Sequence, residues 1–119
     1  MDKKPLVILE SPYAGDVDFN LTYARACLRD SLQRGEAPIA SHLLYTQPGV
    51  LDDSIPRERQ QGIDAGLAWH NVSDYTVAYL DLGVSAGMLY GIRRASEAGK
   101  RIEIRFLSSF AYLVAQEMA

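Results

Sequence analysis

The sequence has few of the residues that build disulfide frameworks and metal sites. Its 119 residues include one cysteine, Cys27, and two histidines, His42 and His70, which lie far apart in the chain. One cysteine cannot form an intrachain disulfide, and no Cys/His cluster has the spacing of a zinc site. Cys27 falls in an apolar helical pattern and is expected to be a small buried hydrophobe. We therefore predict a protein of a reducing compartment that carries neither a metal nor another cofactor.

Long apolar runs and an excess of positive charge are also missing. No apolar segment approaches the ~20 residues of a membrane span. The start, Met1-Asp2-Lys3-Lys4, leads into a short strand-like run rather than the apolar core of a signal peptide. Twelve Lys and Arg against 15 Asp and Glu give a net charge of −3, which disfavours polymeric nucleic acid. We expect a cytoplasmic protein without a membrane or nucleic-acid partner.

The composition that remains is typical of a globular protein. The chain is 48% hydrophobic and 23% charged, and its length fits one domain with one core. We therefore predict a single domain over residues 1–119. Chains of this size bury roughly two-thirds of the surface that they expose when unfolded, so no staple is required.

Apolar runs of strand length alternate with helical patterns along the chain. The predicted strands are residues 6–9, 37–44, 75–80 and 102–106, and Pro38 favours an edge position for the second. Strand and helix in alternation define βαβ units, whose right-handed crossovers give a parallel sheet. We predict an α/β fold, a three-layer doubly wound parallel sheet of four to five strands in the order 2-1-3-4, flavodoxin-like or Rossmann-like.

The helices are predicted from their first and last residues and their apolar spacing. Asp16 or Asp18 caps a first helix that ends at Gly35, Ser54 starts a second, Ser85 caps a third up to Glu97, and Ser108 caps the last. The predicted inner faces are Leu21, Ala24, Cys27, Leu28 and Leu32 in the first helix, Ile63, Leu67 and Trp69 or His70 in the second, and Met88, Ile92 and Ala95 in the third.

Topology predicts where a ligand binds in such a fold. Ligands of open parallel sheets lie beyond the carboxyl ends of the strands, where the strand order reverses. In this chain the reversal falls between the first and third strands, so residues 10–18 and 81–88 are expected to face each other across a crevice. The loop over residues 42–53 is expected to form a side wall.

The candidate ligand-binding residues are the polar, aromatic and small side chains of these loops. They are Ser11, Pro12, Tyr13, Asn20, His42, Tyr45, Gln47, Asp81, Gly83, Ser85, Gly87 and Met88. Hydroxyls, an imidazole and a carboxylate can bind sugar hydroxyls or base amines, and glycines allow a close backbone approach.

Structural roles stay open for several of these candidates. Tyr13 can be a packing residue, Ser85 only a cap, Asp81 only a turn residue, and His42 a satisfied buried imidazole. His70 is expected to be structural. The basic side chains are expected to be solvated, although one or two could reach a ligand phosphate from a neighbouring subunit; they are Arg57, Arg59, Arg93, Arg94, Lys100, Arg101 and Arg105.

Three common catalytic or phosphate-binding motifs do not occur. The chain contains neither G-x-G-x-x-G nor G-x-x-x-x-G-K-[ST], and it has no G-x-S-x-G serine elbow. These absences argue against Rossmann dinucleotide binding, P-loop chemistry and α/β-hydrolase chemistry.

Several segments nonetheless resemble a known group of proteins. Ser11-Pro12-Tyr13, Ser73-Asp74 and the glycine-rich stretch from Gly83 to Gly91 resemble the nucleoside 2-deoxyribosyltransferase-like superfamily. The segments S-P-Y-A-G-D, residues 42–49 with 51–53, and G-x-x-A-G-L-A-W at 62–69 are similar to small uncharacterised phage-encoded members. The resemblance covers roughly residues 5–106. It implies a nucleoside or nucleotide ligand, and host-cell cytoplasm if the chain is phage-encoded.

One departure from the family pattern bears on the choice between two functions. The family cleaves an N-glycosidic bond with a glutamate nucleophile in a G-M-E-x-G-like context, and Leu89 stands at that position in Gly87-Met88-Leu89-Tyr90-Gly91. A leucine cannot form a glycosyl ester. This departure favours a protein that binds a nucleoside or nucleotide without covalent catalysis and, if the phage resemblance holds, one that sequesters a host nucleotide immune signal as an anti-defence sponge. The alternative is a transferase or N-glycosidase with a relocated carboxylate, Asp81 or Glu10.

Two further expectations concern partners. A third functional class is an interaction protein with no small ligand. Because a small sheet leaves its crevice shallow, a homo-oligomer, dimer or larger, is expected to complete it. The aromatic-rich terminal helix, residues 110–118, is a candidate interface, and covering one face of the sheet is its alternative role.

Overall fold

The protein is built on a four-stranded sheet in which every strand pair is parallel. The structure, a computed structural model, describes residues 3–118, with side chains over 3–116. The strands are β1 (Leu6–Glu10), β2 (Ala37–Ile39), β3 (Tyr75–Tyr79) and β4 (Arg101–Arg105). Their order is β2-β1-β3-β4, which confirms the predicted topology and fold class. The register pairs Ile8 with Ile39 on one side and with Thr76 on the other.

Within residues 3–118, five α-helices connect and follow the strands. They are α1 (Val17–Gln33), α2 (Ser41–Leu44), α3 (Pro56–Ala68), α4 (Ala86–Glu97) and α5 (Phe110–Met118), and a short 3-10 helix, Trp69–Asn71, follows α3. The Asp16 side chain caps α1 by accepting from the amide of Phe19 at 3.2 Å. Gly35 follows the end of α1 at φ +87°, where only glycine is unstrained. Both predicted ends of the first helix are confirmed.

The two faces of β1 have different roles, because successive side chains of a strand point to opposite faces. Val7 and Leu9 belong to the main buried cluster with Tyr23 and Cys27 of α1. Ile8 and Glu10 alternate with them and line a cleft on the opposite face. The core therefore lies between the sheet and α1, and the other face of the sheet is left partly open.

The α1 face also receives the terminal helix. The ring of Phe110 packs edge-to-face on Tyr23, with centroids 6.0 Å apart, and Leu113 packs against the same core. This contact supports the covering role foreseen for α5. Within residues 3–118, no helix is long and apolar enough to cross a membrane.

The second predicted strand is wrong over most of its length. The strand ends at Ile39, and Ser41–Leu44 is the helix α2. An edge strand gains hydrogen bonds on one side only, so little holds an apolar run extended after the sheet ends. Leu43 is instead buried as a helical residue. The edge position itself is confirmed.

Some predicted inner faces also differ. Leu32 is 59% exposed, and Asn20, Tyr23 and Ser31 are buried on α1 instead. No residue of α3 is buried, so Ile63 and Leu67 do not enter a core. In α4 the predicted Met88 and Ala95 are buried together with Gly91, while Ile92 is half-buried.

Arg105 is another correction, since it was expected to be solvated. It is 5% exposed and donates to both carboxylate oxygens of Glu36, at 2.7 and 2.6 Å. Glu103 and the hydroxyl of Tyr79 accept from the same guanidinium. Burial raises the pKa of Glu36, but the hydrogen bonds that it accepts from Arg105, Tyr75 and Ser31 outweigh this effect and lower the pKa to about 2. A buried charge is stable here because its partner is aligned in two places.

Candidate functional site

A cleft of about 520 Å³ lies at the carboxyl end of β1. Its floor is Ile8 and Glu10, one wall is α3 with Gly62, Ile63, Gly66 and Leu67, and the other is the first half of α4. Its volume is within the usual range for small-molecule sites. The position agrees with the rule for open parallel sheets.

The helix α3, which forms one wall of the cleft, packs on α2. The backbone of α3 approaches α2 closely: a Cβ on Gly66 would lie 2.5 Å from the hydroxyl of Ser41, and one on Gly62 would lie 3.2 Å from a methyl of Leu51. Glycines at these positions let α3 pack on α2 and the following loop. Its apolar side chains Ile63 and Leu67 then face the cleft.

A serine and a histidine form a pair in this cleft. The Oγ of Ser11 and the Nε2 of His42 are 2.7 Å apart and hydrogen-bonded. Burial lowers the pKa of His42 from 6.5 to about 4, so its imidazole is neutral at pH 7. A neutral imidazole presents one donor and one acceptor, and the pair can therefore bind a polar ligand group of either kind.

The half-buried side chain of Glu10 lies on the floor of the same cleft. Burial raises its pKa from 4.5 to about 8, so the neutral acid predominates at pH 7. Glu10 packs against α4 at Gly91, where a Cβ would overlap Oε2 and lie 2.8 Å from Cδ. The absence of a side chain at position 91 leaves the space that the carboxyl occupies.

The amino end of α4 forms the opposite rim. Ser85 caps the helix, with its Oγ accepting from the amide of Met88 at 3.2 Å. Gly87 has open space where a side chain would be, and Met88 is buried against the sheet while it lines the cleft. The capping role considered for Ser85 is therefore present, and Ser85 also lines the cleft.

Seven of the twelve candidate residues line this one cleft. They are Ser11, Tyr13, His42, Tyr45, Ser85, Gly87 and Met88. Gln47 lines an adjoining shallow depression that shares Tyr13 with the cleft, and its side-chain amide donates to the carbonyl of Leu43 at 2.8 Å.

The other four candidates lie away from the cleft. Asp81 accepts from the hydroxyl of Tyr23 at 2.6 Å and from the amide of Leu107 at 3.0 Å, so it ties α1 to the segment after β4. Asn20 donates to the carbonyls of residues 13 and 14, which holds the loop after β1. Pro12 is buried, and Gly83 forms a turn at φ +83°.

Sequence reasoning gave too little weight to two cleft residues. His70 was expected to be structural, yet it is buried, lines the cleft, and its Nδ1 has no hydrogen-bond partner among the described residues. Glu10 was only a fallback carboxylate. Its place as the last residue of a central strand was a signal in the sequence, because strand ends of this kind lie at the ligand site. Leu89, by contrast, is 41% exposed and does not line the cleft.

Fold and cleft together define the class of protein. It is a parallel α/β protein of Rossmann-like architecture with a ligand-sized cleft at the carboxyl end of its central strand. Residues 5–105 match the model of a family described as a domain of unknown function, DUF7768, and the chain belongs to that family. A comparison with curated proteins gives no match. Within the described part of the chain, no group of three His, Cys, Asp or Glu is placed to hold a metal ion.

Proposed function

We propose that the cleft binds a nucleoside or a nucleotide-derived small molecule without covalent catalysis. The observation that carries the proposal is the convergence of polar groups from three elements on one cleft of about 520 Å³. Ser11 comes from the end of β1, His42 from α2 and Ser85 from the start of α4. The resemblance of Ser11-Pro12-Tyr13 and of the start of α4 to nucleoside 2-deoxyribosyltransferase-like proteins supports the ligand class.

The walls of the cleft suit the two halves of a nucleoside. Tyr13, Tyr45 and Tyr90 supply aromatic faces on which a base can stack, and Ile63 and Leu67 supply apolar surface. The Ser11–His42 pair and the Ser85 hydroxyl can bind ribose hydroxyls or base edges. Such a mixture of apolar walls and a few placed polar groups is typical of small-molecule sites.

Thermal unfolding and calorimetry with a panel of nucleosides and their monophosphates test the proposal. A ligand at about 100 times its Kd stabilises the protein by about 2.7 kcal/mol, which raises the Tm by about 10 °C for a chain of this length. Ser11→Ala should weaken binding, whereas Gln116→Ala, an exposed change on α5, should leave it unaltered. Failure of every compound to shift the Tm would favour the class of interaction protein with no small ligand.

A second candidate function is cleavage of the N-glycosidic bond with Glu10 as the relocated carboxylate. The favouring observation is a protonated carboxyl in the cleft, since burial raises the pKa of Glu10 to about 8. In a hydrolytic reaction Glu10 would donate its proton to the base nitrogen as the C–N bond breaks. Water would then add to the anomeric carbon and return a proton to Glu10. Asp81 does not compete for this role, because both of its oxygens already accept hydrogen bonds.

Mass spectrometry separates the two functions. The protein is incubated with each nucleoside and a second free base, and the ligand is analysed before and after denaturation. Release of intact ligand supports binding alone. Free base or an exchanged nucleoside supports the enzyme, and Glu10→Gln should then abolish turnover.

We also propose a homo-oligomer and, for a phage-encoded chain, sequestration of a host nucleotide immune signal. Apolar side chains are exposed at Ile104 of β4, at Phe106 directly after it, and at Val84 in the loop before α4. Light scattering after size exclusion tests the assembly, and a monomer at micromolar concentration would refute it. Native mass spectrometry of protein purified from infected cells tests the sequestered ligand.

A further inference from the structure

Glu10 differs from every other partly buried carboxylate in the described chain. Each of the others has a donor or a cation beside it; these are Asp30, Glu36, Asp53, Glu58, Asp81 and Glu103. Glu36 is the most completely paired of them, because Arg105 donates to both of its carboxylate oxygens. No hydrogen bond or ion pair from residues 3–116 reaches the carboxyl of Glu10. Glu10 is half-buried and its carboxyl lines the cleft, so a ligand in the cleft can supply the hydrogen-bond partner that the described residues do not.

The space around Glu10 is shaped for it and open to a ligand. The carboxyl lies against Gly91, where any side chain would overlap it, and it lines the cleft on its other side. The other titratable or charged side chains of the cleft are Tyr13 from the loop after β1, His42 and Tyr45 from α2 and its end, Asp53, Glu58 and Arg59 at the amino end of α3, His70 from the 3-10 helix, and Tyr90 from α4.

These neighbours leave the floor of the cleft without net charge near pH 7. Arg59 is the one Lys or Arg that lines the described cleft, and it lies 3.8 Å from Asp53. Burial lowers the pKa of His42 to about 4 and also lowers that of His70, and burial raises the pKa of Glu10 to about 8. A phosphate on the floor of the cleft would lose its hydration and would not be compensated by a nearby cation.

We infer that Glu10 is a specificity-determining residue that binds, as the neutral acid, an uncharged donor–acceptor edge of the kind a nucleobase carries. The inference rests on the proposed function and narrows its ligand from nucleotide to base: the base lies on the floor of the cleft, and any phosphate lies towards the rim. A protonated carboxyl offers one O–H donor and one C=O acceptor side by side, which matches an adjacent acceptor and N–H in a base. An ionised carboxylate offers acceptors alone.

Binding should therefore weaken as Glu10 ionises. A carboxyl with a pKa of about 8 is mostly protonated at pH 7 and about one-tenth protonated at pH 9, so the Kd should rise about 10-fold over that interval. Glu10→Gln keeps a donor and an acceptor in the same place and does not titrate. Its Kd should stay flat from pH 7 to pH 9.

The experiment is calorimetric titration at pH 7 and pH 9 with adenosine, cytidine, guanosine and uridine, their 5′-monophosphates, and inorganic phosphate. The proteins are wild type, Glu10→Gln, Glu10→Ala, and Glu97→Gln as a matched control on the exposed end of α4. Comparing wild type with Glu10→Gln cancels titration of the bases themselves. Gly91→Ala is a second probe, because its methyl group displaces the carboxyl without altering residue 10.

The outcomes separate the inference from the function on which it rests. We expect a nucleoside to bind, a pH dependence in wild type and Glu97→Gln, none in Glu10→Gln, and weaker binding at pH 7 in Glu10→Ala and Gly91→Ala. Two results would overturn the inference and leave the binding function intact. One is a nucleoside Kd that changes neither with pH nor with substitution of Glu10, and the other is inorganic phosphate that binds as tightly as a nucleoside monophosphate. No binding by any compound at either pH would overturn the proposed function itself.

Discussion

Replacing Glu10 by glutamine should stabilise the protein, and by an amount that grows with pH. In the folded protein burial raises the pKa of Glu10 from 4.5 to about 8. Below pH 4.5 the group is protonated in both states and contributes no difference. Between pH 4.5 and 8 the unfolded chain releases the proton while the folded chain retains it. The free energy of unfolding therefore falls by about 1.4 kcal/mol per pH unit, and by at most about 5 kcal/mol in total.

Other groups titrate at lower pH. Their contributions are the same in wild type and in Glu10→Gln, so the difference between the two proteins isolates the effect of Glu10. Burial lowers the pKa of His42 from 6.5 to about 4, so stability rises with pH across that interval and opposes the Glu10 effect. The pKa of Glu36 is lowered to about 2, so its stabilisation is lost only as pH falls from 4.5 through 2. Between pH 6.5 and 8 the Glu10 effect is the largest and should lower the free energy of unfolding of wild type by about 1.6 kcal/mol, with a smaller opposing change as His42 and His70 finish titrating in the unfolded chain.

Urea unfolding at pH 4, 6.5 and 8.5 measures the effect. The stability difference between Glu10→Gln and wild type should be close to zero at pH 4 and largest at pH 8.5. Glu97→Gln, an exposed change, should give a difference that does not vary with pH. A Glu10→Gln difference that is constant across the three pH values would show that the pKa of this carboxyl is not raised in the folded protein.

Three further predictions test the assignments made above. Arg105→Met leaves the buried Glu36 carboxylate unpaired and should destabilise the protein by about 3–5 kcal/mol in urea unfolding, with part of the loss recovered in the double variant with Glu36→Gln. Asp81→Asn removes charge-assisted hydrogen bonds and should lower the free energy of unfolding by about 1–3 kcal/mol, with the ligand affinity unchanged in calorimetry. Weaker ligand binding by this variant would indicate that Asp81 belongs to the binding site. Ser11→Ala should leave the circular dichroism spectrum unchanged and shift the pKa of the His42 imidazole measured by NMR. If Ser11 and His42 were not hydrogen-bonded, this pKa would not change.

Much of the fold was available from local patterns. The apolar strand 6–9 and the alternating helices predicted a parallel sheet in the order 2-1-3-4, which the structure confirms. Asp16 and Gly35 marked the first helix because capping and left-handed backbone are local requirements. The second strand failed at Ile39 because its end depends on the neighbouring strand rather than on its own apolar residues.

The sequence predicted where a cleft lies, but it predicted only part of the lining of that cleft. The topology rule directed attention to the loops after β1 and β3, and seven candidates do line one cleft there. Asp81 and Asn20 were indistinguishable from ligand-binding residues by type, and only their partners, Tyr23 and the carbonyl of Tyr13, show that they hold the fold together.

The sequence by itself determined the architecture, because strand and helix signals, caps and crossovers act over short distances along the chain. The single cysteine and the two histidines likewise determined which reactive and metal-binding side chains a site could contain. Only the tertiary structure decided the state of each polar group, since a carboxyl's pKa depends on what lies beside it in space. Glu36 meets Arg105 and is a structural ion, whereas Glu10 meets Gly91 and an open cleft and is left as a neutral acid.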